Sequence, residues 1–273
     1  MTLVTDEQFS RISAAARLTW GLEMPERKRG LVESRLGAML RDHPDISIDT
    51  LLERAFGAQD PELLRDLFDA LSTNVTNFHR EPESFEWLAS QRWGPLAASA
   101  PPLPERKLRI WCSACSTGPE PYTLAMQLAG FFDTSWDVRI LASDYSTQAL
   151  RQAKSGTYSS EELSSLSASE RSQWFSTTGP DRFTVDPALR ARVTFRRINL
   201  MDEWRIRGPF DAILCRNVMI YFSRDTRERL VNRKASLLGA NGVLVVGCSE
   251  SLSGIGSRLR SVFPAIYVRS DDS

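Results

Sequence analysis

Apolar positions in the first hundred residues recur at helical intervals. Phe9, Ile12, Ala16 and Leu18 follow Thr5-Asp6-Glu7, a stretch suited to capping a helix. A second amphipathic run, with Leu31, Leu36, Met39 and Leu40, follows Pro25-Glu26-Arg27-Lys28-Arg29 and ends near His43-Pro44. Ser47 to Phe56 and Pro61 to Leu71 predict two further helices, the latter with Asp60 as N-cap and Pro61 in the first turn. Nothing here alternates as a half-buried strand would, so residues 1–90 are expected to form an all-helical domain. The chain then turns small and proline-rich from Ala97 to Arg106, which predicts a linker over residues 91–106.

Beyond the linker the grammar changes to short apolar runs alternating with helical segments. Leu108–Ser113, Val138–Ser143, Phe210–Cys215 and Gly242–Gly247 predict strands, with helices at Glu120–Phe131, Thr147–Lys154 and Arg224–Leu238. Such alternation implies an α/β fold with a mostly parallel sheet covered on both faces, spanning residues 107–273. Residues 159–197 break the rhythm: a helix around Ser169–Phe175, a Thr178-Gly179-Pro180-Asp181 turn, and β-like runs at Arg182–Val185 and Val193–Arg197 predict a small inserted β-subdomain.

Composition narrows the functional classes. Hydrophobic residues at 42% and charged residues at 25% are ordinary for a globular chain. The 34 basic side chains balance 34 acidic ones, which argues against a general nucleic-acid or anionic-membrane binder. Lysine occurs only at 28, 107, 154 and 234, so the basic charge is mostly arginine, a planar donor suited to carboxylates. The absence of a basic, then apolar, opening and of any apolar run of about 18 residues predicts a cytoplasmic protein with no membrane insertion. Four cysteines are too few for a disulfide framework. Cys112-x-x-Cys115 lacks a second pair at zinc spacing and predicts buried, inert thiols; no metal site is expected.

In doubly wound sheets, ligands sit beyond the carboxyl ends of the strands where strand order reverses. The first such end, Ala114-Cys115-Ser116-Thr117-Gly118-Pro119-Glu120, has one glycine and lacks the Gly-x-Gly-x-x-Gly spacing that embraces a pyrophosphate. The second strand ends in Asp144, where an acidic side chain commonly accepts ribose hydroxyls. Together they suit a nucleoside ligand such as S-adenosylmethionine. Two alternatives stay open. Asp144 also suits a cap of the helix beginning at Ser146 or Thr147, and Thr117-x-x-Glu120 matches a capping box, although a carboxylate there also suits a ligand amino group or a neighbouring arginine.

A set of ordered segments makes the reading more specific. They are Ser72-Thr-Asn-Val-Thr-Asn-Phe-His-Arg-Glu81, Ala114-Cys-Ser-Thr-Gly-Pro-Glu-Pro-Tyr122, Ala142-Ser-Asp144 and Ser155-Gly-Thr-Tyr158. Asn199-Leu200, Phe210-Asp-Ala-Ile-Leu-Cys-Arg-Asn-Val-Met-Ile-Tyr-Phe222 and Gly247-Cys-Ser-Glu-Ser-Leu252 complete it. Across nearly the whole chain this set resembles the chemotaxis-receptor glutamate O-methyltransferases, the CheR family.

The resemblance implies an N-terminal helical domain joined to a Rossmann-like class I methyltransferase sheet with a β-subdomain insert. It implies methyl transfer from S-adenosylmethionine to glutamates in the cytoplasmic methylation region of chemoreceptors, with S-adenosylhomocysteine as product. By motif match, Asn74, Thr76 and Arg80 line the cofactor site from the helical side, and Glu120, Asp144, Asn199, Leu200, Asn217 and Val218 from the sheet side. Arg80 and Tyr221 match residues near the transferred methyl. An ionised carboxylate needs no strong base, so such a site supplies mainly in-line placement, with Arg80 positioning the acceptor.

There are departures from the family pattern. Pro119 replaces the first of two consecutive glutamates, and Cys248 stands where histidine is frequent. Phe175–Phe183 is short with one glycine, whereas members that grip a C-terminal receptor pentapeptide carry a longer, glycine-rich loop; the expectation is the pentapeptide-independent kind. Arg27, Lys28, Arg29, Arg35 and Arg41 form a candidate receptor dock for an acidic helical partner, against the alternative of a solvated basic face. A methyltransferase for another signalling protein, or a catalytically weak cofactor-binding module, are the competing functions.

Overall fold

The computed structural model describes residues 4–42, 45–57, 60–99, 101–102 and 105–270. Four helices open the chain: α1 (Asp6–Trp20), α2 (Arg29–Asp42), α3 (Ile48–Phe56) and α4 (Pro61–Leu71). Thr5 caps α1 through a reciprocal capping box with Gln8, while Ser47 and Asp60 cap α3 and α4. Their apolar faces meet at Ile12, Leu36, Leu51 and Leu67, all fully buried. Leu18 departs from the expected stripe: it is 78% exposed, and Trp20, four residues beyond Ala16, takes the inward position. The turn before α2 is a short 3-10 segment, Glu26–Lys28. His43 and Pro44, where the second helix was expected to end, lie outside the described residues.

Helix α5 (Pro82–Leu88) runs through a π-turn at Ala89–Trp93 into α6 (Gly94–Ser99). The stretch expected to be a linker is therefore helical as far as Ser99. Trp93 decides this, because its ring is buried and its Nε1 donates to Gln127 Oε1 at 3.1 Å. Residues 100, 103 and 104 of that stretch lie outside the described residues.

The remainder alternates as expected: β1 (Lys107–Ser113), α7 (Pro119–Ala129), β2 (Asp137–Asp144), α8 (Thr147–Ser155), β3 (Thr157–Tyr158), α9 (Ala168–Trp174), β4 (Phe175–Gly179) and β5 (Arg182–Val185). Next come α10 (Pro187–Arg192), β6 (Val193–Arg197), β7 (Phe210–Cys215), α11 (Arg224–Ala235), β8 (Leu238–Val246), β9 (Leu259–Phe263) and β10 (Ile266–Arg269). Seven strands form one sheet in the order β6-β2-β1-β7-β8-β10-β9, parallel through β8, with β10 and β9 antiparallel. Strand order reverses between β1 and β7, which opens a crevice above their carboxyl ends.

Two features of the insert region differ from expectation. Val193–Arg197 leaves the insert and becomes an edge of the main sheet, paired in parallel with β2 from Ile140↔Val193 to Asp144↔Arg197. That pairing buries Val193 and satisfies backbone groups that a free strand would leave bare. The insert proper is a three-stranded sheet, β3-β5-β4. The terminal β9–β10 hairpin carried no sequence expectation, since its half-exposed, arginine-interrupted strands lack an apolar alternation.

Below the crevice, α11 sends Lys234 into the core. Its ammonium is wholly buried, donates to Ser113 Oγ at 2.8 Å and lies 3.8 Å from the Trp111 ring centroid. Among the described residues it has no acidic partner within salt-bridge distance. Burial pushes its pKa down to about 8. Above that value the folded protein has released a proton that the unfolded lysine keeps, so this residue's contribution to stability rises as pH climbs from about 8 toward 10.5. In urea titrations, the difference in unfolding free energy between wild type and Lys234→Met is expected to shift in favour of wild type across that window; a pH-independent difference would contradict it.

Candidate functional site

The crevice is built by four loops. The β1–α7 loop runs through Ala114 and Ser116, both at positive φ, into Gly118 at φ +99°. A Cβ on Gly118 would lie 2.8 Å from the Tyr158 hydroxyl, so the tight turn requires glycine. Gly118 is itself the N-cap of α7, and no side chain caps that helix. The Thr117–Glu120 capping box therefore does not form. Glu120 turns instead toward Arg216, accepting from its Nη1 at 2.9 Å, which is the neighbouring-arginine alternative.

Asp144 latches two loops together. Its Oδ2 accepts from Ser116 N at 2.8 Å and its Oδ1 from Ser146 N at 2.9 Å, while the cap of α8 is Ser146, whose Oγ accepts from Ala149 N. Burial pushes the Asp144 carboxyl above its usual range, opposed by those two N–H groups. A carboxylate has about four lone-pair sites, so those its backbone N–H partners leave free suit a hydroxyl donor.

Arg216, which lies within the Phe210–Phe222 segment and has no expected role from sequence, organises the floor. Its side chain is 1% exposed and spans Glu120, the Glu81 carboxylate at 3.0 Å and the Arg80 carbonyl at 2.6 Å. Glu81 also accepts from Asn217 Nδ2 and Cys248 N, both at 2.9 Å. Burial raises the Glu81 pKa, but the Asn217 and Cys248 donors and the Arg216 charge outweigh it and hold the group below its usual range. For Glu120 the balance falls the other way: burial wins over Arg216 and its pKa is raised. Glu250 ties the last two loops, taking Asn217 N and Gly247 N at 2.7 Å each and Ile220 N at 3.1 Å. The signal for Glu81, Arg216 and Glu250 was a charged residue directly beyond an apolar strand or beside the motif arginine. Their contacts reach across as many as 136 positions of sequence, as between Glu81 and Asn217, and leave no local pattern.

The helical region forms the roof. Asn199 Nδ2 donates to Thr19 O at 2.8 Å, Tyr221 O accepts from Glu23 N at 2.8 Å, and Ser116 Oγ donates to Asn74 O at 2.9 Å. Asn199 is thus engaged in holding roof to floor. The enclosed cleft measures about 1320 Å3 including its open mouth. Asn74, Thr76, Arg80, Glu120, Asp144, Asn199, Leu200, Asn217, Val218 and Tyr221 all line it. Among the described residues, five of the seven non-glycine residues with positive φ, namely His79, Glu81, Ala114, Ser116 and Asn217, cluster around this cleft; such strain concentrates at functional sites.

The expected dock divides. Lys28 and Arg35 line the cleft, with the Lys28 ammonium 4.8 Å from the Tyr221 ring centroid and Arg35 donating to Leu71 O at 2.9 Å. Arg29 is already engaged within the fold: it pairs with Asp6 and Glu26, donates to Val4 O and lies over Phe9. Arg27 and Arg41 are exposed and carry no ion pair among the described residues. Cys112 and Cys115 are buried free thiols whose pKa values burial raises. No described group of three or more His, Cys, Asp or Glu side chains is placed to hold a metal, and no described helix is long and apolar enough to cross a membrane.

A mostly parallel doubly wound sheet with an acidic residue ending β2 and a roofed cleft at its switch point defines a Rossmann-like fold of the class that binds nucleoside ligands there. Residues 74–268 match the family described as CheR methyltransferase, SAM binding domain. Chemotaxis protein methyltransferase 2 of Pseudomonas aeruginosa is 38% identical, with 96% of this chain and 93% of that protein covered. The chemotaxis protein methyltransferases of Borreliella burgdorferi and Escherichia coli are 32% and 33% identical, each over 98% of this chain and over 95% and 93% of their own lengths. The chain belongs to the CheR family of S-adenosylmethionine-dependent methyltransferases, enzymes of chemotaxis.

Removing the guanidinium should expose how much the floor depends on it. Arg216→Ala strands two buried carboxylates and is expected to lower stability by about 3–5 kcal/mol, read by urea unfolding. A loss below about 1 kcal/mol would mean that water or rearrangement replaces the arginine.

Proposed function

We propose that this chain methylates glutamate γ-carboxylates of chemoreceptors, forming methyl esters and releasing S-adenosylhomocysteine, in the cytoplasm. The observation that carries the reading is the convergence of Arg80 and Tyr221, with Glu120, Asp144 and Asn217, on one cleft whose wall also bears Lys28 and Arg35.

The donor chemistry fits the cofactor. Asp144 offers acceptor lone pairs for ribose hydroxyls, and Glu120 faces the cleft as an acceptor for an ammonium, while Leu200, Val218 and Phe222 supply apolar wall. The cofactor, when bound, supplies an electrophilic methyl on a sulfonium. The acceptor glutamate is already ionised near neutral pH, so no side chain here needs to remove a proton. Arg80 has one N–H on the Val75 carbonyl at 3.0 Å and further donors directed to no described partner, which suits it to orient the acceptor carboxylate. Tyr221 lies in the short helix Met219–Tyr221, fixed by Glu250 below and Glu23 above, and closes the reacting end against water.

The acceptor region is the cytoplasmic methylation segment of the receptor, and its encounter is steered by Arg27, Arg41 and the cleft-wall cations. The insert supports independence from a receptor-tail pentapeptide. The β4–β5 turn spans only Pro180 and Asp181, and Asp181 is occupied by Ser160 N at 2.9 Å. That hairpin is compact, with no extended glycine-rich arm.

With labelled S-adenosylmethionine and receptor membranes, wild type is expected to deposit label that base releases, because methyl esters hydrolyse readily. Arg80→Ala is expected to lower kcat on the order of 100-fold through lost positioning. Base-stable label, or none, would overturn the reading. For steering, Arg27→Glu with Arg41→Glu is expected to raise KM for receptor several-fold at low salt, with the effect shrinking at high salt and S-adenosylhomocysteine affinity unchanged in calorimetry. Loss of both would show a folding defect instead of a dock.

A further inference from the structure

Five large hydrophobic side chains are exposed among the described residues; two of them line the cleft and a third adjoins Tyr221, which also lines it. Leu31 at 42% exposure and Val75 at 78% line the cleft, and Ile220 at 49% precedes Tyr221 in its short helix. Their arrangement follows from α2. Leu31 and Arg35 are four residues apart on one face of α2, and Lys28, at the end of the 3-10 segment that leads into it, lines the cleft beside them. Lys28 reaches Tyr221 at one end of that face, and Arg35 donates to Thr73 Oγ1 at 3.3 Å at the other. Leu31 therefore bridges the Ile220–Tyr221 side of the mouth to the Thr73–Val75 side. Val75 is held at its station by Arg80, whose Nη1 binds its carbonyl.

We propose that Leu31, Val75 and Ile220 form an apolar rim that seats the face of an α-helix carrying the acceptor glutamate, gripping the aliphatic side chains one turn before and after it. The proposal rests on the receptor-methylation reading and names what that site selects. The occupant is set by charge and shape. Exposed Arg27 and cleft-wall Lys28 border the rim, which complements a helix bearing carboxylates. Three rim positions contributed by three separate segments suit a cylinder about 10 Å wide, with i−4 and i+4 neighbours flanking a central side chain that enters the cleft. Seating such a helix covers Val75 and brings the carboxylate to the unpartnered N–H groups of Arg80. It also closes the mouth to water, and a partly desolvated carboxylate is the better nucleophile. The rim thus couples sequence choice around the glutamate to the readiness of the arginine.

The test is the triple variant Leu31→Ser, Val75→Ser, Ile220→Ser in the full chain, assayed on receptor membranes with labelled S-adenosylmethionine. KM for receptor is expected to rise roughly tenfold or more, with S-adenosylhomocysteine affinity kept. The rise should persist at high salt, unlike that of Arg27→Glu, and the aliphatic variants Leu31→Met, Val75→Ile and Ile220→Leu should restore it. An unchanged KM, or a rise that disappears at high salt, overturns the rim while wild-type ester formation leaves the receptor reading standing. Absence of base-labile ester in wild type sinks both. Should the triple variant lose S-adenosylhomocysteine binding, Val75→Ser alone, at the most exposed position, carries the same test: an unchanged KM overturns the rim.

Discussion

One buried guanidinium sets the geometry of this enzyme. Arg216 emerges from the end of β7 into a site it shares with two carboxylates and two main-chain carbonyls, almost without solvent. A charge in such a place is tolerable only when its donors are satisfied, and the same is true of its anionic partners. The consequence is a network that cannot be built in part. Glu120 is turned into the cleft, the Arg80 backbone is fixed, and Glu81 is set to hold the loops that follow β7 and β8. One donor position, Arg216 Nε, is buried with no partner among the described residues, so the floor keeps some unmet polarity.

Floor and roof come from separate hydrophobic clusters, joined across the cleft by a few polar contacts. The roof helices pack around Ile12, Leu36, Leu51 and Leu67, with Tyr145 of the sheet half reaching over to Phe68 at 4.7 Å between ring centroids. The Asn199 and Ser116 side chains and the Glu23 N–H then bind main-chain carbonyls across the cleft edge. This division suits a transferase with two substrates. On the function proposed above, the nucleoside end would lie against the strand termini and the acceptor would enter where the Lys28 side of the roof meets the loop carrying Tyr221. His79 extends the same frame to the insert, binding Glu170 at 2.7 Å.

Much of this was legible in local pattern. Thr5, Ser47 and Asp60 announce their helices because capping is satisfied within three residues. The four apolar runs that became β1, β2, β7 and β8 are visible because a strand buried on both faces needs uninterrupted hydrophobicity. Glu120 and Asp144 were nameable because each lies just beyond such a strand; the other cleft residues were nameable only through the ordered motifs that resemble the family. Where local pattern misled, a distant partner had taken over. Thr117 and Glu120 have capping spacing, yet Arg216, 96 residues away, claims the carboxylate. The proline-rich stretch hid a helix that Trp93 anchors through Gln127.

The chain's own order of residues was enough to determine a helical region followed by an α/β sheet, the absence of a phosphate cradle and the polar groups gathered at the strand ends. Those properties follow from periodicities of two and 3.6 residues and from side-chain chemistry, which act over a few positions. Tertiary structure alone decided which charges meet: Arg216 with Glu81 and Glu120, Glu250 with two loop amides, Lys234 with Trp111 and Ser113. It also assigned β6 to the main sheet and split five similar basic residues among structure, cleft and surface. The reason is that electrostatic and hydrogen-bond partners are chosen by proximity in three dimensions and by exclusion of water, and neither is written at any fixed sequence spacing.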